Sequence, residues 1–202
     1  QIPRVKEIAQ AFNIPIFELA GFEADDLIGT LAASVDGQVE KIIVTGDMDT
    51  LQLVNDHTKV FTMKRGLTDS VLYDAKAVKQ RYGLEPEQMI DFKALRGDPS
   101  DNIPGVKGIG EKTATELRKA FKTLDGVYKN INTKKIKDRL RELLLQYKKD
   151  ALMSKELATI KCDAKIEFDL ERARFGDFDQ EKLAELFNEL EFRSLLPRLQ
   201  GL

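Results

Sequence analysis

A chain of 202 residues, 42% hydrophobic and 33% charged, has the length for one or two domains with a buried core, and its composition is not that of a disordered, collagen-like or coiled-coil protein. A single cysteine, Cys162, and a single histidine, His57, exclude an internal disulfide, a Cys/His zinc site and a Ser-His-Asp triad in an unassisted chain, and make the reducing cytoplasm the default setting. The net charge of −2 hides an uneven distribution: residues 1–102 hold 11 Lys and Arg against 17 Asp and Glu, whereas residues 103–163 hold 15 against 8. An acidic half followed by a basic block suggests cation binding in the first and polyanion binding in the second; the alternative is that the basic helices are merely solvated.

In chain order, the apolar spacing predicts a helix from Ile2 to Phe12, a short strand over Ile14–Ala20 and a helix over Ala24–Val35. Ile42-Ile43-Val44-Thr45 reads as a strand buried on both faces of a parallel sheet. A short helix follows over Asp49–Val54, then strands over Thr58–Met63 and Leu67–Tyr73 around a Lys64-Arg65-Gly66 turn. Helices are expected over Ala75–Tyr82, Pro86–Leu95 and Glu111–Phe121, a helical stretch over 123–161 with a break near 130–133, and tail helices near 179–190 and 192–199. No apolar run approaches the roughly 20 residues a membrane helix needs. The expected fold class is α/β, a mostly parallel sheet followed by a helical subdomain. Sheets average about five to six strands. Two parallel strands and a hairpin therefore suggest that strands are missing on the N-terminal side, and the first residue, Gln1, with no Met before Met48, is read as a processed or fragment boundary.

Carboxylates gather at three places: Phe22-Glu23-Ala24-Asp25-Asp26 at a helix entrance, Thr45-Gly46-Asp47-Met48-Asp49 after the apolar strand, and Gly97-Asp98-Pro99-Ser100-Asp101-Asn102 in a Gly/Pro-rich loop. The first two follow strands, where open α/β sheets place their sites. Helix capping and turn chemistry explain each group singly. Together, seven converging carboxylates would repel one another, and a bound divalent ion relieves that repulsion. A site of hard oxygen ligands without histidine suits Mg²⁺ or Mn²⁺, and two such ions can hold the attacking and leaving oxygens of a phosphodiester.

The most specific stretch runs from Ile103-Pro104-Gly105-Val106-Lys107-Gly108-Ile109-Gly110 into a helix beginning Glu111-Lys112-Thr113. Glycines permit close backbone approach and a helix N-terminus offers N–H donors to a phosphate. The pattern looks like a helix-hairpin-helix, which grips the backbone of one DNA strand without reading sequence.

In order and spacing these motifs, with Leu51-Gln52-Leu53 and the terminal Leu190-Glu191-Phe192-Arg193-Ser194-Leu195-Leu196, resemble the 5′ nuclease (flap endonuclease) family, and in particular the 5′→3′ exonuclease domain of bacterial DNA polymerase I. The resemblance implies a metal-dependent nuclease acting on double-stranded DNA with a 5′ end or flap, with no membrane partner and with a polymerase domain following in the parent chain. Residues 1–82 would be the C-terminal portion of the α/β nuclease core and 83–202 the helical subdomain. Glu23, Asp25 and Asp26 would be ligands of a first metal, and Asp47, Asp49, Asp98 and Asp101 would complete that site and supply a second. Gly105, Lys107, Gly108, Gly110, Lys112 and Thr113 would hold the duplex, with K⁺ between hairpin and DNA. The family's N-terminal strands with two further Asp, and its basic arch, have no match in Gln1–Ala20, so a fragment of impaired activity is expected. Two rivals stand beside this reading: a phosphatase of the haloacid-dehalogenase type, from the Asp47-Met48-Asp49-Thr50 run, and a non-catalytic DNA-binding module.

Overall fold

The computed structural model describes residues 1–65, 69–199 and 201. Its elements are α1 (Ile2–Ala11), α2 (Ala24–Ser34), β1 (Lys41–Val44), a 3₁₀ helix (Met48–Leu53), β2 (Thr58–Arg65), β3 (Asp69–Tyr73), α3 (Ala75–Tyr82), a 3₁₀ turn (Pro86–Gln88), α4 (Met89–Arg96), α5 (Glu111–Phe121), α6 (Leu124–Lys129), α7 (Asp138–Gln146), α8 (Lys148–Ala158), α9 (Gln180–Glu189) and α10 (Leu196–Leu199). They divide into two compact units, Ala24–Ala164 and Gln1–Glu23 with Lys165–Leu202. No helix among the described residues is long and apolar enough to cross a membrane.

The larger unit is built on a sheet of order β1-β2-β3. β1 and β2 run parallel, Ile43 opposite Val60, and β2 and β3 are antiparallel, Phe61 opposite Leu72. The parallel partner of β1 is thus the first strand of the hairpin. Ile14–Ala20, expected as a strand, forms none: Pro15 has no N–H for a ladder, and Ile14 and Ile16 are exposed. β1 is covered on one face only. Ile43 is buried, whereas Ile42 and Val44 are 53% and 62% exposed on the other face, so the expectation of two-sided burial does not hold. The expected turn at Gly66 and the strand start at Leu67 lie outside the described residues.

Helices cover the inner face. Ile43, Leu51, Val60 and Val78 share one core with Phe92 and Leu95 of α4, Val106, Ile109 and Leu117 around α5, and Leu144 of α7. The stretch 123–161 breaks twice, over residues 130–137 and at Tyr147, whose N–H still bonds Leu143 O at 3.0 Å. The turn at Pro86 is 3₁₀ before α4 begins at Met89, and the tail helix expected from 192 is confined to α10. After α8 the chain straps back across α2 and the first 3₁₀ helix. Gln52 Nε2 donates to Ala158 O at 3.0 Å and Gln52 Oε1 accepts from Ile160 N at 3.0 Å; Thr30 Oγ1 accepts from Ala164 N at 3.1 Å.

In the smaller unit α1, α9 and α10 close over Ala11, Leu183, Phe187 and Leu199, and the Phe12 ring meets Phe178 and Phe187 edge-on at 5.3 and 6.2 Å.

Where α4, α5, α6 and α8 meet, the larger unit buries charge. Asp91 Oδ2 accepts from Leu124 N at 2.8 Å, while Arg118 and Lys155 approach the same carboxylate at 3.3 and 3.0 Å. Arg118 is 1% exposed and its Nε and Nη1 make no hydrogen bond, so Asp91 is what compensates its charge. Removing one member of a buried pair strands the other. Asp91→Ala is therefore expected to cost about 3–5 kcal/mol in urea unfolding; a loss below about 1 kcal/mol would place Arg118 in a better-solvated environment than this.

Candidate active site

α4 ends at Gly97 (φ +78°), whose N–H bonds Lys93 O at 2.7 Å. The next turn is closed by paired backbone bonds, Asp98 N to Ile103 O at 2.9 Å and Ile103 N to Asp98 O at 2.8 Å. Gly105 (φ +60°) then passes directly against the helix end. A Cβ on Gly105 would lie 2.2 Å from Gly97 N, and one on Gly97 would lie 2.7 Å from Ile103 O. Only glycine permits this crossing at both positions. Within the turn, Asp98 Oδ1 accepts from Ser100 N at 3.1 Å and from Ser100 Oγ at 2.5 Å, an arrangement that Asp favours in turns.

Across the cleft, local bonds shape the segment after β1. Thr45 Oγ1 accepts from Asp47 N at 3.0 Å, Asp47 Oδ1 accepts from Asp49 N at 2.9 Å, and Thr50 Oγ1 donates to Asp47 O at 2.7 Å. Asp47 thereby caps the 3₁₀ helix and turns Asp49 towards α4. Asp49, Asp98 and Asp101 each bring a carboxylate oxygen within 4.8 Å of the others. These three line a cleft of about 590 Å³ together with Asp47, Tyr82, Met89, Phe92, Lys93 and Arg96.

Lys93 sits inside the cluster. Its Nζ bonds Asp49, lies 2.8 Å from Asp98 Oδ2 and 3.8 Å from Asp101 Oδ2, and its side chain is 10% exposed. Burial pushes the Asp49 carboxyl up, against the pull of Lys93. At Asp98 burial acts upward too, but hydrogen bonds from Lys93 and Ser100 outweigh it and hold the carboxyl down at about 2. Burial would lower the Lys93 ammonium, yet the hydrogen bonds to Asp49 and Asp98 win and raise it. Lys93 escaped the sequence reading because it stands in an apolar helix, Met89-Ile90-Asp91-Phe92-Lys93-Ala94-Leu95. The available signal was its position four residues after Met89, one turn along the same side of a helix that buries most of its residues.

The first acidic group is placed differently. Asp25 and Asp26 stand half-buried in the first turn of α2, outside the cleft lining, and Asp26 Oδ1 accepts from Lys161 N at 2.8 Å. Glu23 is exposed just before α2.

The glycine-rich loop splits into anchors and a free rim. Val106 and Ile109 are buried, Val106 N bonding Leu95 O at 2.9 Å. Gly105 is buried with its N–H given to Ser154 Oγ at 2.9 Å. Lys107, Gly108, Gly110 and Lys112 are exposed and Thr113 is half-buried. Gly110 is the N-cap of α5 with no side-chain cap, so the first N–H groups of that helix face outward without a side-chain acceptor.

Two adjoining family descriptions match the chain: "5'-3' exonuclease, N-terminal resolvase-like domain" over residues 1–83 and "5'-3' exonuclease, C-terminal SAM fold" over residues 84–181. The chain belongs to the 5′→3′ exonuclease family. Over 202 residues it is 44% identical to the DNA polymerase I of Bacillus caldotenax, matching all of this chain but 23% of that protein. A solved structure of the T5 5′-exonuclease with bound zinc superposes with TM-score 0.61 at 25% identity, covering 71% of this chain and 52% of that one. The catalytic core of Rad2 in complex with DNA substrate superposes with TM-score 0.62 at 23% identity, over 97% of this chain and 68% of that one, and so shares the fold. The boundary between the two matched stretches, at residues 83 and 84, falls between α3 and the 3₁₀ turn before α4.

The crossing of Gly97 and Gly105 makes a direct test. Gly105→Ala is expected to lose more than about 2 kcal/mol in thermal unfolding, from the left-handed φ and the backbone overlap together. Gly110→Ala, with negative φ and nothing within 4 Å of its Cβ, should stay within about 1 kcal/mol of the parent. Equal losses at the two positions would contradict this account.

Proposed function

We propose that the protein of which this chain is a part hydrolyses DNA phosphodiesters near a 5′ end or flap junction, with Mg²⁺ or Mn²⁺ as cofactor and duplex DNA as partner, and that the chain by itself is impaired in cleavage. The observation that carries this reading is the convergence of Asp49, Asp98 and Asp101 in a cleft whose far wall leads, through the Gly97–Gly105 crossing, directly into the loop before α5. The donor set fits the cofactor: three carboxylates within 4.8 Å, with no histidine or thiol among them, are ligands for a hard divalent ion. Bound there, divalent ions would activate water and stabilise the leaving 3′ oxygen. Asp49, Asp98 and Asp101 would hold one ion; Asp47 at the cleft wall, with Asp25, Asp26 and Glu23, belongs to the wider ligand set that family membership supports. Residues 1–82 would supply the α/β part of the site and 83–202 the helical part that holds DNA. In the second, Gly108 and Gly110 give room for a phosphate at the α5 N-terminus, Lys107, Lys112 and Thr113 surround it, and Gly105 fixes the loop's shape; a K⁺ ion between loop and phosphate is part of the proposal. A polymerase domain in the parent chain is proposed from the B. caldotenax relative.

Two experiments test this. Asp98→Asn in the full-length protein should abolish metal-dependent cleavage of a 5′-labelled flap substrate, while affinity for the same DNA stays within a few-fold of the unsubstituted protein. Unimpaired cleavage would remove Asp98 from the site, and DNA binding without cleavage in the unsubstituted full-length protein would favour a DNA-binding module instead. Replacing Lys107 and Lys112 together by Ala should weaken duplex binding and flatten its salt dependence by up to about two units, about one per phosphate contact. An unchanged slope would place the DNA elsewhere.

A further inference from the structure

Lys93 is the one cation bonded within the acidic cluster among the described residues, and it is held there with unusual care. Its stem is buried in α4 between Phe92 and Ala94, its ammonium bonds Asp49 and Asp98, and Asp101 stands 3.8 Å away. Those are the same three carboxylates whose oxygens converge to within 4.8 Å. An ammonium and a divalent ion satisfy one need, the mutual repulsion of the three acids, and cannot share one centre.

We propose that Lys93 is a built-in stand-in for the metal: it holds the three carboxylates converged before a divalent ion arrives, and is displaced from them when the ion binds. The proposal rests on the cluster being a metal site. Asp98 Oδ1 also accepts from Ser100 N and Oγ, so that carboxylate keeps an anchor when Lys93 leaves, and Asp47 Oδ1 holds the backbone of Asp49 in place through its N–H. Its four-carbon stem lets the ammonium swing into the open cleft lined by Tyr82 and Arg96. The consequence is competition. Every divalent ion bound must first break two charge-assisted hydrogen bonds, so metal affinity is lower than the carboxylates alone would give, and the acids stay ordered when no metal is present.

The test is Mn²⁺ binding to the full 202-residue chain without DNA, read as free Mn²⁺ by electron paramagnetic resonance, for the parent, Lys93→Met and Asp98→Asn. Methionine keeps most of the stem and removes the charge. Lys93→Met should bind Mn²⁺ about tenfold more tightly or better, because the competing bonds are gone. Unchanged or weaker binding in Lys93→Met would overturn the proposal, and a purely structural lysine would give that result together with a lower melting temperature. Asp98→Asn binding Mn²⁺ as well as the parent would instead sink the reading of the cluster as a metal site. Should Lys93→Met fail to fold, the parent alone decides. Labelling of the Lys93 amine by an amine-reactive reagent, quantified by mass spectrometry, should be slow in metal-free buffer and several-fold faster in saturating Mn²⁺; an unchanged rate would show that the ammonium stays in place.

Discussion

The close approach of two backbones at Gly97 and Gly105 governs the functional face of this protein. No side chain fits between them, since a Cβ on Gly105 would sit 2.2 Å from Gly97 N. Because the helix end and the returning chain touch, the intervening turn is closed by the paired bonds between Asp98 and Ile103. That closure aims Asp98 and Asp101 back over α4 towards Asp49. It also delivers Val106 and Ile109 to the core and leaves Lys107, Gly108 and Gly110 outside. The acidic cleft and the loop before α5 are therefore two ends of one rigid turn.

α4 carries the electrostatics of both ends. Asp91 and Lys93 are two residues apart on a helix, so they face different sides. Asp91 points to α5, α6 and α8, where it meets Leu124 N–H, Arg118 and Lys155. Lys93 points to the cleft, where it meets three acids. Each places one charge amid several of the opposite sign in a poorly solvated setting, where such interactions are strong and a missing partner is costly. The first locks the helical part together behind the loop. The second keeps the cleft's acids converged.

Much of this was readable from residue order. Helices α3 and α5 begin and end where the apolar periodicity puts them, and Asp74 and Gly110 stand at their N-caps. Asp49, Asp98 and Asp101 announced themselves because turn signals and acids coincide in Thr45–Asp49 and Gly97–Asn102. What stayed hidden depends on tertiary contacts. The pairing of β1 with β2 is a register set across 17 residues, and a hairpin pattern does not reveal a third, parallel neighbour. The pause at Tyr147 interrupts no apolar period, so α7 and α8 read as one helix. Lys93 drew no notice in a run of apolar residues because its partners arrive from segments 44 residues before it and 5 to 8 residues after it. Asp26 shows the reverse: a carboxylate in an acidic motif whose oxygen is engaged by Lys161 N, from the strap behind α8.

The central claim is that Asp49, Asp98 and Asp101 form a cation site. Anomalous diffraction from crystals of this chain grown with Mn²⁺ tests it most directly. The account predicts a Mn²⁺ peak in contact with carboxylate oxygens of all three residues, with the Lys93 ammonium no longer bonded to Asp49 and Asp98. Mn²⁺ peaks found only elsewhere, with Lys93 still seated among the three acids, would contradict it.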